Sequence, residues 1–184
     1  MSWSHGVFMA ASLRSENCMK TLQHDPMGIR SAMAYNFAHY IQHWLNMETA
    51  QRRMPRIFFS NLYRRDVESD QLLWPGFGEN IRIFDWITRR LSDVQDGSSM
   101  QMNEFVDSPL GKLANKGDFN LEGLDHLDWQ QLMSVTNEFW SSEYNSTKEF
   151  FFKEMGNEVP QKMLDELESM RRRLNVENNN NNKS

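Results

Sequence analysis

Cysteine is almost absent from this chain: Cys18 stands alone among 184 residues. No intrachain disulfide can form, and a reducing compartment is the default expectation. Lys20 lies close enough in sequence to lower the Cys18 thiol pKa slightly, but an inert thiol is the plainer reading. Long hydrophobic runs are also missing. Nothing approaches the ~18 consecutive apolar residues of a membrane span, so no membrane partner is expected. The first six residues lack the basic start and apolar run of a secretory signal. Positive charge is in short supply: 20 Lys and Arg against 25 Asp and Glu leave a net charge of −5. That balance argues against general binding to nucleic acid or acidic membranes. The Arg pairs at 52–53, 64–65 and 89–90 and the triple at 171–173 read mostly as solvated faces.

What is present suits a packed domain. Aromatic residues make up 12 % of the chain, with six Trp, more than a disordered chain carries. The expectation is one helix-rich, mixed α/β piece over residues 1–176 and a disordered Asn-rich tail over 177–184. Residues 31–47 carry Met33, Phe37, Tyr40, Ile41, Trp44 and Leu45 at the spacing of one buried helical face. Residues 57–63 are β-rich and apolar and predict a buried strand. Residues 71–74 predict its hairpin partner. A helix follows Asn80, its expected N-cap, with Ile83, Phe84, Ile87 and Leu91 as an apolar stripe. Residues 95–128 read as loops. Residues 129–155 predict one long helix anchored by Leu132, Val135, Phe139 and Trp140. Residues 161–174 predict a final amphipathic helix built on Met163, Leu164, Leu167, Met170 and Leu174.

The strongest local signal is the strand–loop–helix unit over residues 57–90. Gly76 and Gly78 flank Phe77 in a turn where both glycines can adopt positive φ. Such a turn before a helix brings backbone N–H groups close to a ligand. Tyr63 ends the strand and Trp74 flanks the loop, so aromatic rings could sandwich a base. The alternative stays open on spacing alone: a structural turn whose Phe and Trp plug the core. The loop lacks the Gly-x-x-x-x-Gly-Lys-Ser/Thr phosphate cradle. Elsewhere, His39 and His43 have the spacing of a metal pair without an evident third ligand. His24 and Asp25 could orient one another as an acid–base pair, or simply hold a turn before Pro26.

Taken in order, Trp3-Ser-His-Gly-Val-Phe8, Arg14-Ser15-Glu16, His24-Asp-Pro26, Tyr35-Asn-Phe37 and Trp44 resemble GTP-dependent phosphoenolpyruvate carboxykinases. Trp74-Pro-Gly-Phe-Gly-Glu-Asn80 resembles the hallmark of that family's nucleotide site. Leu121-x-Gly-Leu124, Glu138-Phe-Trp140 and Asp165-Glu-Leu167 extend the resemblance over residues 3–174, roughly the last third of a family member. It implies the C-terminal part of the family's nucleotide-binding domain, and a full enzyme that converts oxaloacetate and GTP to phosphoenolpyruvate, carbon dioxide and GDP with manganese or magnesium. It implies that Phe77 and Tyr63 stack on guanine and that Asn80 reads the base edge. The family's P-loop lysine, metal ligands and substrate arginines lie upstream of the matching segment, so this segment alone is expected to be inactive.

Two departures stand out. Leu72 replaces a family aromatic at the base pocket. Only residues 17–23 join Glu16 to His24, a shorter connection than the family's mobile active-site lid. A non-catalytic guanine-nucleotide-binding or scaffolding remnant is the alternative. A cytoplasmic setting is expected, with a mitochondrial form still open.

Overall fold

The computed structural model describes residues 2–16, 19, 21–96 and 104–181. They fall into two compact units. One comprises Met1–Ile57 and Thr136–Ser184, the other Phe58–Val135. Cys18 and Lys20 lie outside the described residues. The architecture is mixed and helix-rich, compatible with the expected class: helices dominate, and the described strands form two small antiparallel hairpins.

The first unit packs four helices. They are α1 (Trp3–Ala11), α2 (Phe37–Asn46), α5 (Asn137–Met155) and α6 (Gln161–Asn181). Phe8, Ile41, Phe151, Met155 and Met163 fill its core. Phe8 meets Phe151 edge-on at 6.1 Å, the arrangement ring quadrupoles prefer. Gly6 allows a close approach: a Cβ there would lie 2.2 Å from Cδ1 of Ile57, so the end of that side chain would have to move. The Trp3 indole donates to the Trp44 carbonyl at 2.7 Å. Glu166 of α6 accepts from Ser4 Oγ at 2.9 Å and lies 2.8 Å from His5 Nδ1. Burial alone would raise the Glu166 pKa, but these bonds outweigh it and the carboxyl sits below its usual range.

As expected, Met163, Leu167, Met170 and Leu174 bury one face of α6. The helix carries helical backbone as far as Asn181, through residues where disorder was expected; residues 182–184 are not described. Helix α2 is shorter than its apolar pattern suggested. It begins at Phe37 because the Asn36 side chain caps it, accepting from the Ala38 N–H at 3.0 Å. Arg14–Glu16 (β1) and Leu22–His24 (β2), for which no strand was expected, pair antiparallel.

The second unit is organised around Trp86. It contains α3 (Ile81–Asp96), β3 (Val106–Ser108) paired with β4 (Gly111–Leu113), and α4 (Trp129–Met133). Trp86 stacks on Phe119 at 5.5 Å and takes the edge of Phe58 at 5.6 Å. Asp118 is buried and bridged to Arg90 at 2.7 Å. Arg90 also lies 4.4 Å from the Phe105 ring centroid. Arg90 is thus a packed cation, not the solvated one its charge cluster suggested.

Three further expectations are corrected. Residues 57–63 form no strand. Their backbone is irregular, and Phe58 turns its ring to the edge of Trp86. The long helix over 129–155 is broken, with Ser134 and Thr136 both extended. Arg64 donates to the Leu132 and Ser134 carbonyls at 2.9 and 2.7 Å and to Ser134 Oγ at 2.6 Å, which claims carbonyls a continuing helix would need. Helix α5 is consequently anchored by Thr147, Phe150, Phe151 and Met155, while Phe139 is 56 % exposed. On α3, Phe84 faces solvent and Trp86 is the buried residue.

Candidate functional site

Residues 64–73 form a tight hairpin. The Asp66 N–H donates to the Gln71 carbonyl at 2.8 Å, and the Leu73 N–H to the Arg64 carbonyl at 2.9 Å, around a single Arg65–Leu72 bridge. The turn is held by Asp66, whose Oδ1 accepts from the Glu68 and Ser69 N–H groups and from Ser69 Oγ. Bonds from the Ser69 backbone and hydroxyl, and from the Gln131 side chain, bring the Asp66 pKa down to about 2. Arg64 reaches toward α4 from the same arm, and desolvation lowers its pKa. The sequence suggested a hairpin between residues 57–63 and 71–74; the one present instead pairs residues 64–66 with 71–73, through a single bridge.

Tyr63 precedes the hairpin, in a turn where its N–H donates to Asn61 Oδ1 at 3.0 Å. Its side chain is 78 % exposed. Trp74 follows the hairpin and is buried. Gly76 then takes φ 95° and ψ −141°, a region essentially closed to residues with a Cβ. Gly78 does not share that conformation: it lies inside a 3₁₀ turn, Phe77–Glu79. The Glu79 N–H closes the turn on the Gly76 carbonyl at 3.0 Å. Phe77 is 97 % exposed and makes no ring contact among the described residues.

Asn80 does not cap α3 with its side chain. Its backbone carbonyl starts the helix, accepting from Ile83 and Phe84, while its Oδ1 accepts from the Trp74 indole N–H at 2.9 Å. A buried indole N–H needs an acceptor, and the nearby carboxamide supplies it. That requirement, with Trp74 and Asn80 six residues apart across a glycine turn, was the available signal for the pairing. Glu79 is held in turn by Arg82, which also donates to the Asn120 and Glu122 carbonyls at 2.6 and 2.9 Å. Leu72 is 42 % exposed. The loop is thus tied down behind Phe77 while Phe77 itself stays free.

In the first unit, the β1–β2 hairpin is fastened at its base. The Asp25 N–H donates to the Leu13 carbonyl at 2.9 Å, and the Asp25 carboxylate accepts from Ser15 Oγ and from the Arg30 N–H, each at 3.0 Å. His24 lies 3.1 Å from Ser146 Oγ. Arg14 bonds the same hydroxyl and pairs with Glu143 at 3.2 Å. His24 and Asp25 therefore do not orient one another; each serves the turn. His39 pairs with Glu158 at 2.7 Å. Among the described residues no three His, Cys, Asp or Glu side chains come together in a way that could hold a metal ion.

Comparison with known proteins decides the ancestry. Residues 1–173 match the family described as phosphoenolpyruvate carboxykinase C-terminal P-loop domain. The chain belongs to this family. Relatives include the phosphoenolpyruvate carboxykinase [GTP] of Haemonchus contortus, 38 % identical over 180 residues, and the mitochondrial phosphoenolpyruvate carboxykinase [GTP] of Homo sapiens, also 38 % identical over 180 residues. The cytosolic phosphoenolpyruvate carboxykinase [GTP] of Bos taurus is 31 % identical over 183 residues. These alignments cover 95, 94 and 95 % of this chain, but only 28, 27 and 28 % of the relatives. The chain is thus a C-terminal portion relative to the carboxykinases it matches. Its relatives include both cytosolic and mitochondrial forms, and among the described residues no helix is long and apolar enough to cross a membrane.

Proposed function

We propose that this chain is the nucleotide-side portion of a GTP-dependent phosphoenolpyruvate carboxykinase. In the full enzyme, oxaloacetate loses carbon dioxide and the resulting enolate takes the γ-phosphoryl group of GTP. Phe77 offers one stacking face to guanine, Tyr63 the other, and Asn80 reads the base edge. The β1–β2 hairpin is the root of a shortened lid, which would exclude water when closed.

One observation carries this reading. Phe77 is 97 % exposed on a backbone that Gly76 and the Phe77–Glu79 turn hold in place. A ring that merely plugged the core would be buried, as Trp74 is. Stacking on such a ring contributes about 1–3 kcal/mol per base. The manganese or magnesium ion implied by the family does not fit the donors among the described residues, so its ligands would come from the remainder of the full enzyme.

Calorimetric or NMR titration of the chain with GDP, GTP and ATP tests the proposal. Weak, guanine-selective binding that disappears in Phe77→Ala is expected. An equal response to ATP, or binding untouched by Phe77→Ala, would show the loop to be structural only.

A further inference from the structure

We infer that Trp74 is the positioning residue that makes Asn80 selective for guanine over adenine. The inference rests on the proposed function and adds a specificity determinant to it. Trp74 is buried, and an indole ring nitrogen donates but never accepts. Its Nε1 lies 2.9 Å from the terminal carboxamide of Asn80. The carboxamide atom facing it must therefore be the oxygen, because turning the NH2 toward the indole would set donor against donor and strand a buried N–H.

That bond has a chemical consequence for the other arm of the amide. The final torsion of an Asn side chain is broad and roughly two-fold, so an untethered Asn80 could offer either its oxygen or its NH2 to a base. The bond turns the oxygen toward Trp74 and so leaves the NH2 as the opposite arm, and that NH2 makes no hydrogen bond among the described residues. A lone NH2 is a donor. Guanine presents a carbonyl oxygen at its 6-position, whereas adenine presents an amino group there. The donor matches the first and opposes the second.

The backbone sets this donor beside the stacking ring. Phe77 opens the 3₁₀ turn, and Asn80 follows it three residues later in αR conformation. Residues three apart in such a turn lie one above the other. A base resting on Phe77 would therefore bring its edge toward Asn80, whose amide has been turned in advance by a residue that touches no nucleotide.

The test compares Kd values of GDP, IDP and ADP for the whole chain and its variants. Trp74→Phe keeps a buried ring but removes the N–H. The preference for GDP over ADP should fall about tenfold, the scale of one net hydrogen bond, with the stacking contribution retained. IDP should follow GDP in every variant, since inosine keeps the 6-carbonyl. Asn80→Ala removes the outward donor and leaves the Trp74 ring in place, so GDP should lose its advantage even if Trp74→Phe folds poorly. In the wild type, the indole N–H resonance of Trp74 should shift on Asn80→Ala. Unchanged guanine selectivity in Trp74→Phe would overturn the inference and leave the proposed function standing; unchanged selectivity in Asn80→Ala would remove the edge-reading role of Asn80 as well. A wild-type chain with no guanine preference would overturn both.

Discussion

His24 lies flat on Phe150, with ring centroids 4.3 Å apart and planes 12° from parallel. The stack joins the end of β2 to α5. It is also electrostatically exposed, because Arg14 and Arg30 flank the imidazole. Ser146 bonds the ring, while Glu143 pairs with the Arg14 guanidinium and Glu154 with that of Arg30; the Asp25 carboxylate, on the same turn, accepts from the Arg30 backbone N–H. Burial first, then the two arginines, lower the His24 pKa below 6.5.

A lowered histidine pKa means that the folded state prefers the neutral ring. The associated stability is complete above about pH 6.5, the unfolded value, and is lost as pH falls from there toward the folded pKa. Urea unfolding between pH 7.5 and 5.5 should show a loss of stability in the wild type. In His24→Phe, which keeps the stack and cannot titrate, the slope should be shallower. Equal slopes would remove His24 from the account.

Arg90 and Asp118 form the most deeply buried ion pair described. Arg90→Met should cost about 3–5 kcal/mol, because it takes the cation away from a buried carboxylate. Replacing both partners with apolar residues of similar volume should cost much less. Denaturant midpoints for the two single variants and the double variant measure the difference; a mild Arg90→Met would contradict it.

Phe151 and Phe77 are the same side chain in opposite environments. Phe151→Ala empties a fully buried site and should destabilise by about 3–5 kcal/mol. Phe77→Ala should leave stability within about 0.5 kcal/mol and act only on nucleotide affinity. Thermal melts of both variants separate packing from binding; a large stability loss in Phe77→Ala would show that the ring supports the fold.

Gly6 leaves room for Ile57 and for little else. Gly6→Val should destabilise by about 1–3 kcal/mol through overpacking, and Ile57→Ala in the same chain should recover part of that loss. An additive double variant would mean that the two positions are independent.

The 184-residue chain by itself should convert no oxaloacetate to phosphoenolpyruvate in the presence of GTP and manganese. Phosphoryl transfer relies on metal ions to neutralise the developing charge, and the described residues assemble no donor cluster for one. Sustained, manganese-dependent turnover by the purified chain would refute this.

Local and periodic features were legible in the sequence. The buried face of α6 follows from Met163, Leu167, Met170 and Leu174, because helical spacing alone aligns them. The turn at Gly76 follows from a residue with no Cβ. Family membership follows from a series of motifs in fixed order, the most specific being the loop around Phe77. What tertiary structure decided was the destination of each polar group and each exposed ring. Residues 57–63 have the composition of a strand, but a strand also needs a neighbouring strand to share its ladder, and residues 58–63 are in no ladder among the described residues. The expected long helix breaks at Ser134 because a distant guanidinium, Arg64, claims its carbonyl. Asn80 looked like a helix cap until a buried indole proved to hold its oxygen. Composition and spacing report which groups a segment offers; only the folded chain decides which partner reaches them first.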